Sequence, residues 1–483
     1  MLRIVFLTLE FSAGTFSGNG IYAQSQVRAL SSLGYPVLVI SGKPSFGSGT
    51  ANVQGGYQLI EVPVSRWGKL DASTPYDEYA SKGSSDEICD VVKEFKPDVF
   101  MIVDWSALDV YRNLRRKLCD LSEQPSHIPL VYLNYRVFSR TATGEDLALV
   151  SRKECEAMQE AILTIALSRT DQKYLTRLMD TNRSINHMNG KPKEIHVLLC
   201  ALREDMRQLD LHLPVRINSP ANPAMPLNPA QQQQQGAEGI APNLREVIFT
   251  AQAGDDDTTN SERCGFVNSS LTELNDSRSS DIDSLRFLRN RPYLTCCVRL
   301  CQEKEPHRFV ELVEELARRG VLSAERSDHA PVPLLIGAAT DEYAQSLKQR
   351  LRAAAPHSII IEDFMGPQQL SRVFSQTRLN VHPATYDAFG MTIVEAASQG
   401  APSLVHDGGG AVGATDLLSS RKGEVILQDL SVDVQDLANK VELLLSNGAL
   451  LLYVAKKAAA KARSWSEAAN AAALVEMVQK ALT

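Results

Sequence analysis

Two carboxylates, Asp387 and Glu395, stand eight residues apart in a stretch that changes from loop to helix to strand. An aromatic residue and a glycine follow the first acid, a helical run covers Met391–Gln399, and Gly400 stands where a glycine commonly ends a helix. The start of a helix offers unpaired N–H groups to an anion, and a carboxylate further along can accept hydrogen bonds from sugar hydroxyls. The stretch therefore predicts a site for phosphate and ribose.

The same stretch, ATYDAFGMTIVEAASQGAPSLVHDGG, resembles the E-x7-E signature of retaining glycosyltransferases of the GT-B fold, in particular glycosyltransferase family 4. Asp387 replaces the first Glu of that signature. The resemblance implies that Glu395 holds the ribose of a nucleotide-sugar and that Asp387 faces the transferred sugar. It also implies that the backbone amides of Phe389, Gly390 and Met391 contact the diphosphate and sugar. The alternative, a βαβ unit with two solvated acids, is disfavoured by the accompanying F-G, E-A and G-A-P motifs.

Two cations, Arg299 and Lys304, follow the first predicted strand of the second half, where ligands gather in doubly wound sheets. Their segment, VRLCQEKEPHRFVELVEEL, resembles the G-R-L-x-x-E-K-G opening of the same family. The resemblance implies that this Arg and Lys neutralise the diphosphate, whose charge grows as it departs. The alternative is a pair of surface cations beside Glu303 and Glu305.

Three small residues precede the first predicted helix, Ile21–Leu33: Gly18, Asn19 and Gly20. Small side chains there would let backbone N–H groups approach a phosphate or sugar. Taken literally, GNGIYA also fits the G-x-G-x-x-A dinucleotide fingerprint. Two features oppose that alternative. A long loop separates the first strand from Gly18, and no acid for a cofactor ribose follows the second strand.

The acceptor side is predicted in the first half, after strands that end in Asp104-Trp105 and Asn134-Tyr135. Many members of the resembling family carry a histidine there that contacts the donor sugar or the attacking hydroxyl. Val103 and Asn134 or Tyr135 occupy these positions, which leaves Asp104 or Asp387 as the nearby acids. The histidines at the predicted strands, His196, His382 and His406, are interpreted as core or loop residues.

Alternating strands and helices predict two parallel, doubly wound sheets. The expected fold is α/β with GT-B architecture, in which two Rossmann-like domains face a central cleft and a C-terminal helix packs back on the first domain. The predicted divisions are a first domain at 1–206, a flexible low-complexity insertion at 207–291, a donor domain at 292–455 and a return helix at 456–483. Base recognition is expected from backbone near residues 364–366.

The composition excludes several classes of protein. A length of 483 residues exceeds one core, and a net charge of −7 offers no basic surface for nucleic acid. The eight cysteines lack metal-ligand spacing and indicate buried thiols in a reducing compartment, and the acidic run 255–257 is interpreted as solvated rather than as a metal site. No 18-residue apolar segment occurs, so a soluble, cytoplasmic protein is expected, with peripheral membrane contact left open.

Together these features predict a retaining glycosyltransferase that moves a sugar from a nucleotide-sugar to an acceptor hydroxyl. No cofactor and no metal are expected, and the partners are the donor and an acceptor of unknown identity. Two rival hypotheses remain. One is a catalytically silent GT-B scaffold that binds nucleotide-sugar or a partner protein, and the other is a different sugar-phosphate enzyme such as a phosphorylase or an epimerase.

Overall fold

A computed structural model describes residues 1–11, 18–44, 52–54, 56–65, 74–120, 128–185, 193–211, 278–323 and 329–483. The first domain contains one eight-stranded sheet in the order β3-β4-β2-β1-β5-β6-β7-β8, parallel except for the antiparallel edge strand β3. Its central strands are buried and rich in Val, Ile and Leu, as strands covered on both faces must be. All eight strands are short. They are β1 (Ile4–Thr8), β2 (Val37–Pro44), β3 (Asn52–Gln54), β4 (Tyr57–Val64), β5 (Val99–Val103), β6 (Leu130–Asn134), β7 (Leu163–Ala166) and β8 (Ile195–Val197).

The helices of the described first domain cover this sheet and extend into the segment that leaves it. They are α1 (Gly18–Ser32), α2 (Thr74–Lys82), α3 (Asp86–Phe95), α4 (Leu108–Asp120), α5 (Gly144–Glu160), α6 (Arg169–Ile185) and α7 (Glu204–Arg207). The chain proceeds from β1 to β2 on one side and then crosses to β5 on the other. The strand order therefore reverses between β1 and β5, which is where doubly wound sheets bind ligands.

The second domain contains a fully parallel six-stranded sheet in the order β11-β10-β9-β12-β13-β14. Its strands are β9 (Tyr293–Cys297), β10 (Val332–Ile336), β11 (Ile359–Ile361), β12 (Thr377–His382), β13 (Ser403–His406) and β14 (Ile426–Gln428). Its helices are α8 (Arg278–Asn290), α9 (Pro306–Arg318), α10 (Glu342–Ala354), α11 (Pro367–Ser375), α12 (Met391–Ser398), α13 (Val434–Ser446) and α14 (Gly448–Ser464). The strand order reverses between β9 and β12, so the loops after these two strands form the expected ligand edge.

The predicted return of the C-terminus to the first domain is confirmed. The final helix, α15 (Glu467–Leu482), packs against α1. Trp465 Nε1 donates to the Leu199 carbonyl at 3.0 Å, and Asn470 Nδ2 donates to the same oxygen at 2.7 Å. The predicted continuous helix 456–483 is interrupted at Trp465, which is extended, because the Ser466 side chain caps a new helix at the Ala469 N–H. The helix after this break is the one that packs on α1 of the first domain.

The predicted flexible insertion includes a structured end. Residues 278–290 form α8, which packs on α14, and Arg291 is buried, where it donates to the carbonyls of Phe374, Thr377 and Gln399. The second domain therefore begins before the predicted residue 292. The rest of the predicted insertion from 212 to 277, including the acidic run 255–257, lies outside the described residues.

No single helix in the described ranges has the length and apolar composition needed to cross a membrane. Helices α13 and α14 reach that length and apolar composition only when they are counted as one segment. The two helices are bent by 84° relative to each other.

Candidate active site

The ligand edges of the two sheets face each other across a cavity of about 170 Å³. The second domain contributes the loop after β9 and the loop after β12 with the start of α12. The first domain contributes the start of α1 and the ends of β6 and β7. Most of the predicted donor residues line this cavity: Gly18, Asn19, Arg299, Lys304, Asp387, Phe389, Gly390 and Met391.

Two helix N-termini meet across the cavity. A Cβ atom added to Gly18, the first residue of α1, would lie 3.8 Å from the sulfur of Met391, the first residue of α12. Gly390 precedes α12 with a positive φ of 85°, and a Cβ there would lie 2.8 Å from Ile393 Cδ1, so only glycine fits this turn. Because helix starts carry unpaired N–H groups and partial positive charge, both helices favour an anion in this cavity.

Asp387 is buried beside two nitrogen groups. Its Oδ2 lies 3.0 Å from Lys304 Nζ and 3.3 Å from His382 Nε2. Burial acts to raise the pKa of Asp387, but Lys304 and His382 outweigh that effect and hold it well below its usual range. Asp387 is therefore a firmly ionised carboxylate at the centre of the cavity wall.

Glu303 joins the cations of both domains. Its carboxylate accepts a hydrogen bond from Arg136 of the first domain at 2.9 Å and lies 3.5 Å from Arg299 and 3.4 Å from Lys304. Burial raises the pKa of Glu303, but Arg136, Lys304 and Arg299 more than offset that and keep it below its usual value. Three cations thus surround one carboxylate at the edge of the cavity, which leaves a local excess of positive charge.

The loop before α12 is also fixed against the first domain. Tyr386, which lines the cavity, donates its hydroxyl to Asp171 at 3.2 Å. The guanidinium of Arg140 lies 4.0 Å from the centre of the Tyr386 ring and donates to the same Asp171 carboxylate at 2.9 Å. These contacts hold the Asp387 loop in the cleft through the first domain as well as the second.

Glu395 lies behind the cavity wall rather than in it. Its side chain is 6% exposed, and its Oε1 lies 3.5 Å from Arg203 of the first domain. Burial raises the pKa of Glu395, while Arg203 opposes the rise. The residue predicted to hold ribose is therefore paired across the domain boundary and is absent from the cavity lining.

Asp104 lines a second, water-sized cavity of about 20 Å³ that shares Asn19 and Arg136 with the first. Its carboxylate accepts hydrogen bonds from the Tyr135 N–H at 2.8 Å, the Arg136 N–H at 3.1 Å and Asn19 Nδ2 at 2.7 Å. Burial raises the pKa of Asp104 to about 8 against the effect of the two backbone donors. Its φ of 55° with ψ of 173° is strained for a non-glycine residue. Asp104 thus joins the start of α1 to the loop that follows β6.

The remaining predicted residues have mixed positions. Tyr135 lines the main cavity and packs on Tyr22 with ring centres 4.5 Å apart. Gly20 is buried within the first turn of α1, because this helix begins three residues earlier than predicted. Trp105 packs between Tyr76 and Phe138 as a core residue, and Asn134 is buried with its Nδ2 donating to the Tyr132 hydroxyl. Trp105, Asn134 and Gly20 therefore do not line either described cavity.

Two residues that the sequence interpretation left out of the site lie in it. His382 was interpreted as a core or loop histidine, yet it lines the cavity beside Asp387. Arg136 lies two residues after the end of β6 and donates a hydrogen bond to Glu303 of the second domain. Both residues stand at the carboxyl end of a strand, and that position was a signal available from the sequence.

Comparison with known proteins gives one family match. Residues 277–465 match the family model described as glycosyl transferases group 1. This range contains the loop after β9, the Asp387 loop and α12. No curated protein matches the sequence.

Solved structures resemble the whole chain at low identity. Sucrose-phosphate synthase from Thermosynechococcus elongatus aligns with a TM-score of 0.65, 12% identity and 99% coverage of each chain. Anabaena HepE in complex with UDP-glucose aligns with a TM-score of 0.58 and 15% identity over 99% of this chain and 100% of that one. Trehalose-6-phosphate synthase OtsA aligns with a TM-score of 0.61 and 10% identity over 99% of each chain. The fold is therefore GT-B. Residues 277–465 are thus similar to glycosyl transferases group 1, and the chain is a glycosyltransferase of this fold.

Proposed function

We propose that this glycosyltransferase moves a sugar from a nucleotide-sugar to an acceptor hydroxyl with retention of anomeric configuration. The observation that carries the proposal is the convergence of Arg299, Lys304 and two helix starts on one interdomain cavity. The departing group of a nucleotide-sugar is a diphosphate, which gains negative charge as the glycosidic bond breaks. Donors and helix dipoles fixed in advance around that charge stabilise the transition state.

Asp387 acts in this proposal through its charge rather than by taking a proton. A carboxylate whose pKa lies well below its usual range is a weak base, and Lys304 and His382 keep Asp387 in that state. It faces the transferred sugar and stabilises the positive charge that develops at the anomeric carbon. The proton of the acceptor hydroxyl then leaves to an oxygen of the departing diphosphate, and the acceptor oxygen forms the new bond to that carbon.

The first domain supplies the acceptor side. Tyr135, Arg136 and Asn19 face the donor residues across the cavity, and closure of the two domains excludes water that would hydrolyse the donor. We propose that no metal is required, because Arg299, Lys304 and the two helix starts provide the charge that a cation would otherwise supply.

A two-stage experiment tests the function. UDP, GDP, ADP and their sugars are first screened for thermal stabilisation, since a ligand at 100 times its dissociation constant adds about 2.7 kcal/mol. UDP-glucose is the first donor to test, because one structural neighbour is described in complex with it. The donor that stabilises the protein is then assayed for transfer and hydrolysis, and the anomeric configuration of the product is followed by NMR. Inversion, or release of sugar phosphate by free phosphate, would refute the proposal.

The silent scaffold remains a second candidate because the cavity cations already have carboxylate partners. Glu303 lies near Arg136, Arg299 and Lys304, and Asp387 pairs with Lys304. The shorter Asp387 also replaces the Glu of the family signature. Nucleotide binding without transfer or hydrolysis of any donor would favour this candidate.

A further inference from the structure

The contact between Arg203 and Glu395 joins the first domain to the helix that begins at the donor cavity. Arg203 stands directly before α7, in the segment that leaves the first domain. Its guanidinium binds Asp205 through two hydrogen bonds of 3.0 and 2.8 Å, whereas its distance to Glu395 is 3.5 Å. Asp205 therefore holds the guanidinium in place, and Glu395 meets a cation that is already positioned.

Glu395 is one layer behind the cavity surface. Thr392 lines the cavity and lies one helical turn before Glu395, so the two side chains share a face of α12. Cys297, at the end of β9, also lines the cavity. Burial is the main cause that raises the pKa of its thiol, and the negative charge of Glu395 raises that pKa further. In the proposed donor complex, the ribose must therefore bind against Thr392 and Cys297 to reach the Glu395 carboxylate behind them.

The charge state of Glu395 depends on its neighbours from each packed element. Burial favours the neutral acid, Arg203 favours the carboxylate, and Asp205 opposes it. Cys297 approaches from β9, and Arg463 from α14 donates to the Ser398 carbonyl at the far end of α12. Among these groups, Arg203 is the cation closest to the Glu395 carboxylate, at 3.5 Å.

We propose that Arg203 is a positioning residue for the ribose subsite, where it keeps Glu395 ionised and oriented toward the ribose hydroxyls. The inference rests on the proposed function, because it assumes a nucleotide donor whose ribose meets Glu395. An ionised carboxylate accepts stronger hydrogen bonds from hydroxyls than a neutral acid does. Since Arg203 comes from the first domain, full recognition of the ribose requires the two domains to be docked. Nucleotide affinity and domain closure are thereby coupled.

A competing role for Arg203 would be to block Glu395 until the donor displaces it. The distances disfavour that role, because Arg203 is bound tightly to Asp205 and only loosely to Glu395. The two roles predict opposite effects of removing the guanidinium, so one experiment separates them.

The test measures how much the ribose hydroxyls contribute to binding. Calorimetry between pH 5.5 and 9 gives the dissociation constants of a ribonucleoside diphosphate and its 2′,3′-dideoxy analogue, with UDP, GDP or ADP chosen by the thermal screen. The ratio of the two constants is the ribose contribution, and ionisation of the diphosphate cancels in it. The variants are Arg203→Met, Arg203→Lys and Glu395→Gln. Arg28→Met is the control, because Arg28 belongs to the same charge cluster but pairs with Asp205 and Glu467.

We expect Arg203→Met to move the pH midpoint of the ribose contribution upward by at least about one unit. Below that midpoint the ribose contribution to affinity should fall by about tenfold, and it should return at high pH. Arg203→Lys should retain most of the contribution, and Arg28→Met should match the wild type. Glu395→Gln should remove the pH dependence. If Arg203→Met does not fold, Arg203→Gln provides the same measurement.

Two results would overturn the inference alone. An unchanged midpoint in Arg203→Met, with Glu395→Gln still effective, would reduce Arg203 to a structural residue. A larger ribose contribution in Arg203→Met would make it a competitor. If Glu395→Gln keeps the wild-type ribose contribution at every pH, the proposed placement of the donor itself is wrong.

Discussion

The second-domain wall of the cleft comes from two short stretches, 297–304 and 382–392, whereas the first-domain wall combines the ends of several strands and the start of α1. In the second domain, helix geometry and charge are encoded close together in the chain. In the first domain, Asp104 assembles the wall by bonding to Asn19, Tyr135 and Arg136. The second-domain wall is therefore a local motif, and the first-domain wall depends on tertiary contacts.

The largest effect is expected from Asp387→Ala, which removes the charge opposite the anomeric carbon. Transfer should fall on the order of 1,000-fold, as for loss of a preorganised electrostatic group. Affinity for nucleoside diphosphate should hold or increase, because Lys304 and His382 lose their carboxylate partner. Steady-state kinetics and calorimetry measure the two quantities. Asp387→Glu should retain activity or change the preferred sugar, and the exposed Asp407→Ala serves as the control.

Lys304→Ala and Arg299→Ala should each lower turnover by about 100-fold or less, with Lys304 having the larger effect. Lys304 is 12% exposed and holds Asp387, whereas Arg299 is 39% exposed and contacts Glu303. Because the charge that they meet grows in the transition state, kcat should fall more than nucleoside affinity. Equal, small effects on kcat in both variants would show that the two residues are surface cations.

Arg136→Ala tests whether the first-domain wall contributes to the charge of the donor site. Without Arg136, the Glu303 carboxylate would neutralise Arg299 and Lys304 more fully. Nucleoside diphosphate affinity should fall by about tenfold, which corresponds to about 1.4 kcal/mol. The double variant Arg136→Ala/Glu303→Gln should recover most of that loss in calorimetry. Failure to recover it would mean that Arg136 acts independently of Glu303.

The last prediction concerns stability rather than binding or rate: Asp104→Asn should change how stability depends on pH. Asp104 keeps its proton in the folded protein up to a pKa of about 8, against 3.8 for a free Asp. The contribution of Asp104 to the free energy of unfolding is complete below about pH 4. It is lost as pH rises to about 8, by at most about 1.4 kcal/mol per pH unit. Melting temperatures across this range should therefore decline less in Asp104→Asn than in the wild type. Parallel curves would show that Asp104 is ionised throughout.

The sequence predicted the alternation of strands and helices well because their apolar runs and helix-ending glycines are local signals. Helices Asp86–Phe95 and Glu342–Ala354 have the predicted bounds. The pairing of Glu395 with Arg203 could not be predicted, since it depends on how the two domains dock. The interpretation of His382 as a core or loop residue missed its place beside Asp387 for a different reason. It weighed the residue type alone, although the predicted strand already placed His382 at the ligand edge.

The proposed function requires Arg299 and Lys304 to bind the diphosphate of a nucleotide donor. This binding is measured by calorimetric titration of the Arg299→Ala/Lys304→Ala double variant with UDP, GDP or ADP and with the matching nucleoside. The control is Arg421→Ala/Lys422→Ala, an exposed Arg-Lys pair of the same domain. We expect the first variant to lose most of the affinity difference between diphosphate and nucleoside, while the control keeps it. If the first variant keeps the wild-type affinity difference, Arg299 and Lys304 do not bind the diphosphate.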